Sequence, residues 1–217
     1  MSSHHVLSLA GTDLWLLGEK AAYWPEQRTL LVADIHFGKA AAYRRLGQPV
    51  PQGTTTNNLR RLDALLDRHA CSRLVFLGDF LHAPESYAPA TLARLGEWRE
   101  RHAALPMTLV RGNHDRRAGD PPAALNIEVV GEPLYLGTFA LCHEPVREAE
   151  RVVLAGHLHP TFRLAGKGRQ SLRLPCFSVE DGLILLPAFG DFTGGMELPA
   201  APGRRVFVVA DGEIWPV

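Results

Sequence analysis

The chain has 217 residues, 46% hydrophobic and 21% charged, and its 23 Lys+Arg against 23 Asp+Glu leave no formal net charge. That balance excludes a disordered or collagen-like chain and supplies no global field toward nucleic acid or membrane, so any polyanion has to be caught locally. With no apolar run of about 18 residues and no apolar leader, the expectation is one cytoplasmic domain over 1–217 that makes no membrane contact.

The first residues read as short strands, Val6–Leu9, Leu14–Leu17, Ala21–Trp24 and Thr29–Ala33, the last running straight into Asp34. After Gly53-Thr-Thr-Thr the period changes, and Leu59, Leu62, Leu65 and Leu66 form one apolar stripe on a helix ending near His69. Leu74–Leu77 is a strand that ends at Gly78-Asp79. Leu92, Leu95 and Trp98 mark a second amphipathic helix, and Met107–Val110 is a strand that ends at Gly112-Asn113. This alternation predicts parallel pairing with right-handed crossovers. Beyond Asp120 the helical signal fades into strands at Ile127–Val130, Phe139–Cys142, Val152–Ala155, Phe162–Leu164, Leu183–Leu186 and Val206–Val209. Two sheets, each with an apolar face to cover, stack most simply on one another with helices outside. The expected fold class is α/β, a four-layer α/β/β/α sandwich of two mixed sheets. The cysteines, Cys71, Cys142 and Cys176, lie in apolar runs without CxxC spacing and are expected as buried free thiols.

Chemistry concentrates where strands end: Asp34-Ile-His36, Gly78-Asp79, Gly112-Asn-His-Asp115, His143 and Gly156-His-Leu-His159. Ligands of open α/β sheets gather beyond the carboxyl ends of the strands, so clusters distant in sequence can converge there. The residue types suit a pair of divalent cations. Two such ions about 3.5 to 4 Å apart repel unless an anionic group bridges them, and Asp79 suits that place. Asp34 and His36, two apart on an extended segment, point to one side, as do His157 and His159. Imidazole, carboxylate and amide oxygen together favour Mn, Fe or Zn over Mg or Ca. Two cations against Asp34 and Asp79 leave the site positive, which is the local attraction for phosphate that the net charge lacks. Metal coordination also draws the pKa of water down toward about 7.

In order and without a gap, these motifs resemble the calcineurin-like metallophosphoesterases, whose pattern is DxH, GDxx, GNH[D/E], H, GHxH. The resemblance implies the same sandwich. It implies Asp34, His36, Asp79 and His159 at one metal and Asp79, Asn113, His143 and His157 at the other. It makes His114 the catalytic imidazole, the general acid for the leaving group, and has Asp115 orient it; a plain helix or loop cap is the competing reading of Asp115. Asp34–Ala40, the stretch Gly-Gln-Pro-Val-Pro-Gln-Gly over 47–53, Leu186-Pro-Ala-Phe-Gly190 and Thr193-Gly-Gly195 are similar to the bacterial ligase-associated DNA-damage-response metallophosphoesterases. That likeness implies a manganese-dependent endonuclease acting on phosphodiester bonds of single-stranded DNA in repair, with helicase and DNA ligase partners.

His82 stands where an acid or amide is common in the superfamily, and would touch the leaving group or support its loop. Lys39 and Arg116 are candidates for flanking phosphates, with solvated helix faces as the alternative. Gly194-Gly195 reads as a tight turn or as a loop near the substrate groove. The rival functional reading is a phosphatase or pyrophosphatase acting on a small nucleotide, a lipid precursor or a phosphoprotein, because one metal pair serves all of these. A non-catalytic scaffold is disfavoured by the retained ligands and imidazole. A homodimer is expected only if the amino-terminal strands or the Trp residues form a patch.

Overall fold

The structure, a computed structural model, describes residues 4–50, 53–166, 168 and 170–217. Pro51 and Gln52 of the 47–53 stretch lie outside the described residues. Strands β1 (His4–Leu9), β2 (Thr12–Leu17), β3 (Ala21–Trp24) and β4 (Thr29–Ala33) form an antiparallel meander. From β4 the sheet continues in parallel through β5 (Arg73–Leu77), β6 (Met107–Val110) and β7 (Glu128–Val130), seven strands in sequence order. The crossovers carry α1 (Lys39–Arg45), α2 (Thr54–His69), α3 (Pro89–Arg101) and α4 (Asn113–Ala118).

The period-2 alternation of these strands sorts their side chains. Leu30, Val32, Leu74, Phe76 and Leu109 pack against Leu59, Leu62 and Leu65 of α2 and Leu95 and Trp98 of α3. Leu31, Ala33, Val75, Leu77 and Val110 face the other way, onto Phe139, Leu141, Leu154, Phe177 and Ile184 of a second sheet. Strands buried on both faces are apolar at nearly every position, Thr29 and Thr108 apart, which is why they read as near-continuous runs.

The second sheet comprises β8 (Leu134–Leu136), β9 (Phe139–Leu141), β10 (Val152–Ala155), β11 (Pro160–Ala165), β12 (Ser171–Glu180), β13 (Leu183–Leu185), β14 (Met196–Glu197), β15 (Arg205–Ala210) and β16 (Glu213–Pro216). Its middle, β9-β10-β13, is parallel and the rest is mostly antiparallel. The two mixed sheets of the expected sandwich are therefore present. The helical cover is one-sided: α2 and α3 back the first sheet, and among the described residues no α-helix lies after Ala118. The far face of the second sheet carries small side chains, Ala140, Cys142, Val153 and Ala155, with Leu158 and Leu198 from loops against them. A face this small needs less cover. Trp24 and Trp98 are core, Trp15 is half-buried and stacked on His4 at 4.3 Å, and Trp215 is exposed. The three cysteines are free, with Cys142 and Cys176 buried.

Candidate metal centre

Parallel pairing aligns the carboxyl ends of β4, β5 and β6 along one edge of the first sheet, and those of β9 and β10 along the second. Each strand stops in a sharp turn. Asp34, His36, Asp79, His157 and His159 all have φ between 46° and 68°, the left-handed region that non-glycine residues enter at a cost, and such outliers cluster at functional sites. The turns hold one another: Asp34 N–H donates to the Gly78 carbonyl at 3.3 Å and His36 N–H to the Asp79 carbonyl at 2.9 Å. Two glycines are required by close approach. A Cβ on Gly78 would lie 2.1 Å from His143 Nδ1, and one on Gly156 would lie 2.4 Å from Asp34 Oδ2.

Asp34, His36, Asp79 and His159 bring donor atoms within 4.8 Å of one another. His36 Nε2 lies 3.4 Å from His159 Nε2 and 3.6 Å from Asp79 Oδ2, and His159 Nε2 lies 3.3 Å from Asp34 Oδ1. That last oxygen is buried and has no hydrogen-bond partner. An orphaned carboxylate oxygen in a dry site is costly unless a cation satisfies it. His159 Nδ1–H can donate to the Gly194 carbonyl at 3.1 Å, which leaves the Nε2 lone pair facing inward.

The second group meets around Asn113. His143 Nε2 and His157 Nδ1 stand 2.8 and 3.0 Å from Asn113 Oδ1 and 3.1 Å from each other, with Asp79 Oδ1 3.4 Å from His143. With His143 Nδ1 placed to donate to the Leu77 carbonyl at 3.1 Å, its Nε2 is bare and points at lone pairs. Converging acceptors of this kind fit a divalent cation, and Asp79 borders both groups. Burial pushes the Asp79 carboxyl up, with nearby Asp34 adding to the rise, and holds His36 well below its ordinary value, with the Lys39 ammonium acting the same way. For His159 burial pulls downward, but the nearby Asp34 carboxylate outweighs it and raises the imidazole.

His114 sits at this edge with its Nδ1 2.7 Å from the His82 carbonyl and its Nε2 3.9 Å from Asp79 Oδ2, its side chain 31% exposed. His82 stacks on the His114 ring at 4.8 Å and approaches His36, Nδ1 to Nδ1, at 3.3 Å. Burial, with Lys39 and His114 nearby, lowers the His82 imidazole to about 4. Lys39 opens α1 close enough to feel Asp79 and Asp34, and burial lowers its amine.

For Asp115 the structure follows the capping reading. Asp115 does not hold the His114 ring. Its carboxylate accepts from Phe80 N–H at 2.9 Å, Leu81 N–H at 3.2 Å and Gly112 N–H at 2.9 Å, so it caps the loops that carry Asp79 and Asn113. Burial raises it to about 6. Arg116 pairs with Glu132 at 3.1 Å and Glu144 at 3.6 Å. Glu132 itself went unnoticed in the sequence. Its other oxygen accepts from His143 N–H at 2.8 Å and Glu144 N–H at 3.0 Å, and nothing near it in the chain signals that reach.

Residues 27–146 match the calcineurin-like phosphoesterases. The chain belongs to that family. Among solved structures the phosphoesterase is 51% identical to the Pseudomonas putida nuclease MPE, over 99% of this chain and 100% of that one, with a TM-score of 0.87. The E. coli phosphoesterase Yfce is 18% identical over 87% of this chain and 97% of its own, with a TM-score of 0.45. A comparison with curated proteins gave no match. The protein is thus a metal-dependent phosphoesterase of a dinuclear family, and among its described residues no helix is long and apolar enough to cross a membrane.

Proposed function

We propose that this phosphoesterase is a manganese-dependent DNA phosphodiesterase that cuts single strands internally during DNA repair, in the cytoplasm and alongside a DNA helicase and a DNA ligase. The observation that carries this reading is the 51% identity over 99% of the chain to the P. putida nuclease. Asp34, His36, Asp79 and His159 would hold one cation and Asp79, Asn113, His143 and His157 the other. When bound, the pair supplies Lewis-acid charge to the phosphoryl oxygens and a water acidic enough to ionise near pH 7. The mixed donor set suits manganese, iron or zinc.

The chain's own groups do the remaining work. With Nδ1–H donating to the His82 carbonyl, the proton that His114 gains resides on Nε2, the nitrogen on the side of Asp79, from which it can pass to the departing oxygen. The stacked His82 ring restricts rotation of that imidazole. Lys39 stands where it can take a non-bridging or flanking phosphate oxygen.

Covalently closed single-stranded circular DNA, incubated with manganese beside a chromogenic phosphomonoester, tests the reading. Linearised circles with slow monoester turnover are expected. Intact circles with rapid monoester turnover would replace it with a phosphatase or pyrophosphatase.

A further inference from the structure

The loop over 188–195 crosses the mouth of the metal centre and is fastened along most of its length. Phe189 N–H and Gly190 N–H donate to the Ala33 and Asp34 carbonyls at 2.8 and 3.1 Å, and Asp191 N–H donates to Asn58 Oδ1 at 3.1 Å. Arg61 pairs with Asp191 at 3.0 Å and lies over the Phe189 ring at 4.1 Å, while Lys20 Nζ donates to the Gly190 carbonyl at 3.3 Å. From this fixed base Phe192 points into solvent, 43% exposed, at φ +62°. A bulky side chain in a left-handed conformation, displayed rather than buried, gains nothing for the core and points to a role in contact with something else.

Its neighbours indicate what. Phe192 meets Tyr43 edge-on at 5.7 Å, Tyr43 lies 5.8 Å from the His82 ring, and His82 stacks on His114. A row of rings therefore runs from the imidazole at the metal edge out to Phe192. Beside it lies a cavity of about 280 Å³ lined by His159, Thr161, Lys20, Arg173 and Phe192, so a metal ligand, two cations and an exposed aromatic share one hollow. Flat apolar surface beside positive charge is the combination that holds single-stranded nucleic acid.

We infer that Phe192, backed by Tyr43, is the stacking platform for the nucleobase next to the scissile phosphate, with Lys20 and Arg173 taking the phosphate of that nucleotide. The inference rests on the nuclease reading and adds to it a residue that selects substrate. A base lies flat on the ring only when it is unpaired, so the platform favours single strands, and it tolerates any base because each has a π face.

Steady-state constants for the wild type, Phe192→Gly and Phe192→Trp test this on a short single-stranded oligodeoxynucleotide and on methyl p-nitrophenyl phosphate, a diester without a base, with bound metal counted in each protein. Glycine suits φ +62° better than phenylalanine does, so the first variant relieves the backbone rather than straining it. The platform predicts that KM for the oligonucleotide rises about tenfold in Phe192→Gly and returns in Phe192→Trp, with metal content and diester turnover unchanged. Equal loss on both substrates, or an unchanged KM for the oligonucleotide, overturns it. A wild-type enzyme that hydrolyses the diester but leaves the oligonucleotide intact removes the nuclease reading and the platform together, whereas a glycine variant that cuts DNA like the wild type removes the platform alone.

Discussion

The first sheet delivers Asp34, His36 and Asp79 from loops whose neighbouring residues, Ile35, Phe37, Phe80 and Leu81, are buried in the helix-side core, and Asn113 from the start of α4. The second sheet delivers His143, His157 and His159 from loops with no helix behind them among the described residues. Polar partners hold these three instead. Glu132 accepts from the His143 backbone and the Leu77 carbonyl faces its ring; Asp34 Oδ2 accepts from His157 N–H at 2.9 Å, and the Gly194 carbonyl faces His159. The first half of the centre is thus positioned by apolar packing together with the turn hydrogen bonds and the Asp115 cap, and the second chiefly by hydrogen bonds, two of which reach back to the first half. Packing resists deformation through many small contacts, whereas a hydrogen bond fixes one atom and is lost whole. Damage to the first half should therefore appear as lost fold stability, and damage to the second as lost metal affinity.

The largest effect expected comes from a residue that leaves both halves intact. In the proposed roles His114 gives the proton and binds no cation, so His114→Ala should lower turnover on DNA about 10²- to 10⁴-fold with metal content preserved. The loss should shrink for a substrate that releases p-nitrophenolate. Metal-free His114→Ala protein would mean that the imidazole is a ligand. Next, Phe37→Ala, at a side chain 1% exposed in the helix-side core, should cost about 3 to 5 kcal/mol in denaturant unfolding. Manganese affinity in the fraction that stays folded should change little. Smallest is Glu132→Gln, which weakens the clamp on the His143 backbone. About tenfold weaker retention of one cation is expected in a chelator titration, with the other unmoved and the melting temperature nearly so. A Glu132→Gln protein that loses stability but keeps both ions would erase the distinction between the halves.

The parts of this centre legible in the sequence are those that local rules govern. Asp34, His36, Asp79, His157 and His159 follow apolar runs at once, and a strand's end is where such residues converge in a parallel sheet. The helical stripe of Leu59, Leu62, Leu65 and Leu66 was legible for the same reason, as a periodicity within one element. What was not legible depends on partners remote in the chain. Asp115 lies beside His114 in sequence, but its oxygens go to amides of Phe80 and Leu81, and only the loop's path decides that. The ion pairs of Arg116 were hidden because Glu132 and Glu144 give no local sign that they turn back toward it. The uncovered far face of the second sheet was equally hidden, since strand patterning says that a face is apolar but not that it is small enough to be closed by Leu158 and Leu198. The 188–195 loop showed as motif residues and a candidate turn or groove loop, but its fastening through Asn58 and Arg61 was hidden, because it joins residues some 130 positions apart in the chain.

Asp79 borders both groups of donors through its carboxylate, approaching His36 Nε2 at 3.6 Å and His143 Nε2 at 3.4 Å, so it carries the claim that the two halves form a single centre. The direct measurement is elemental analysis of manganese per chain after chelation, reconstitution and gel filtration, for the wild type and Asp79→Ala. Two ions in the wild type and fewer than one in the variant, with its turnover gone, are the expected result. One ion or none in the wild type, or two ions kept by Asp79→Ala, would contradict it.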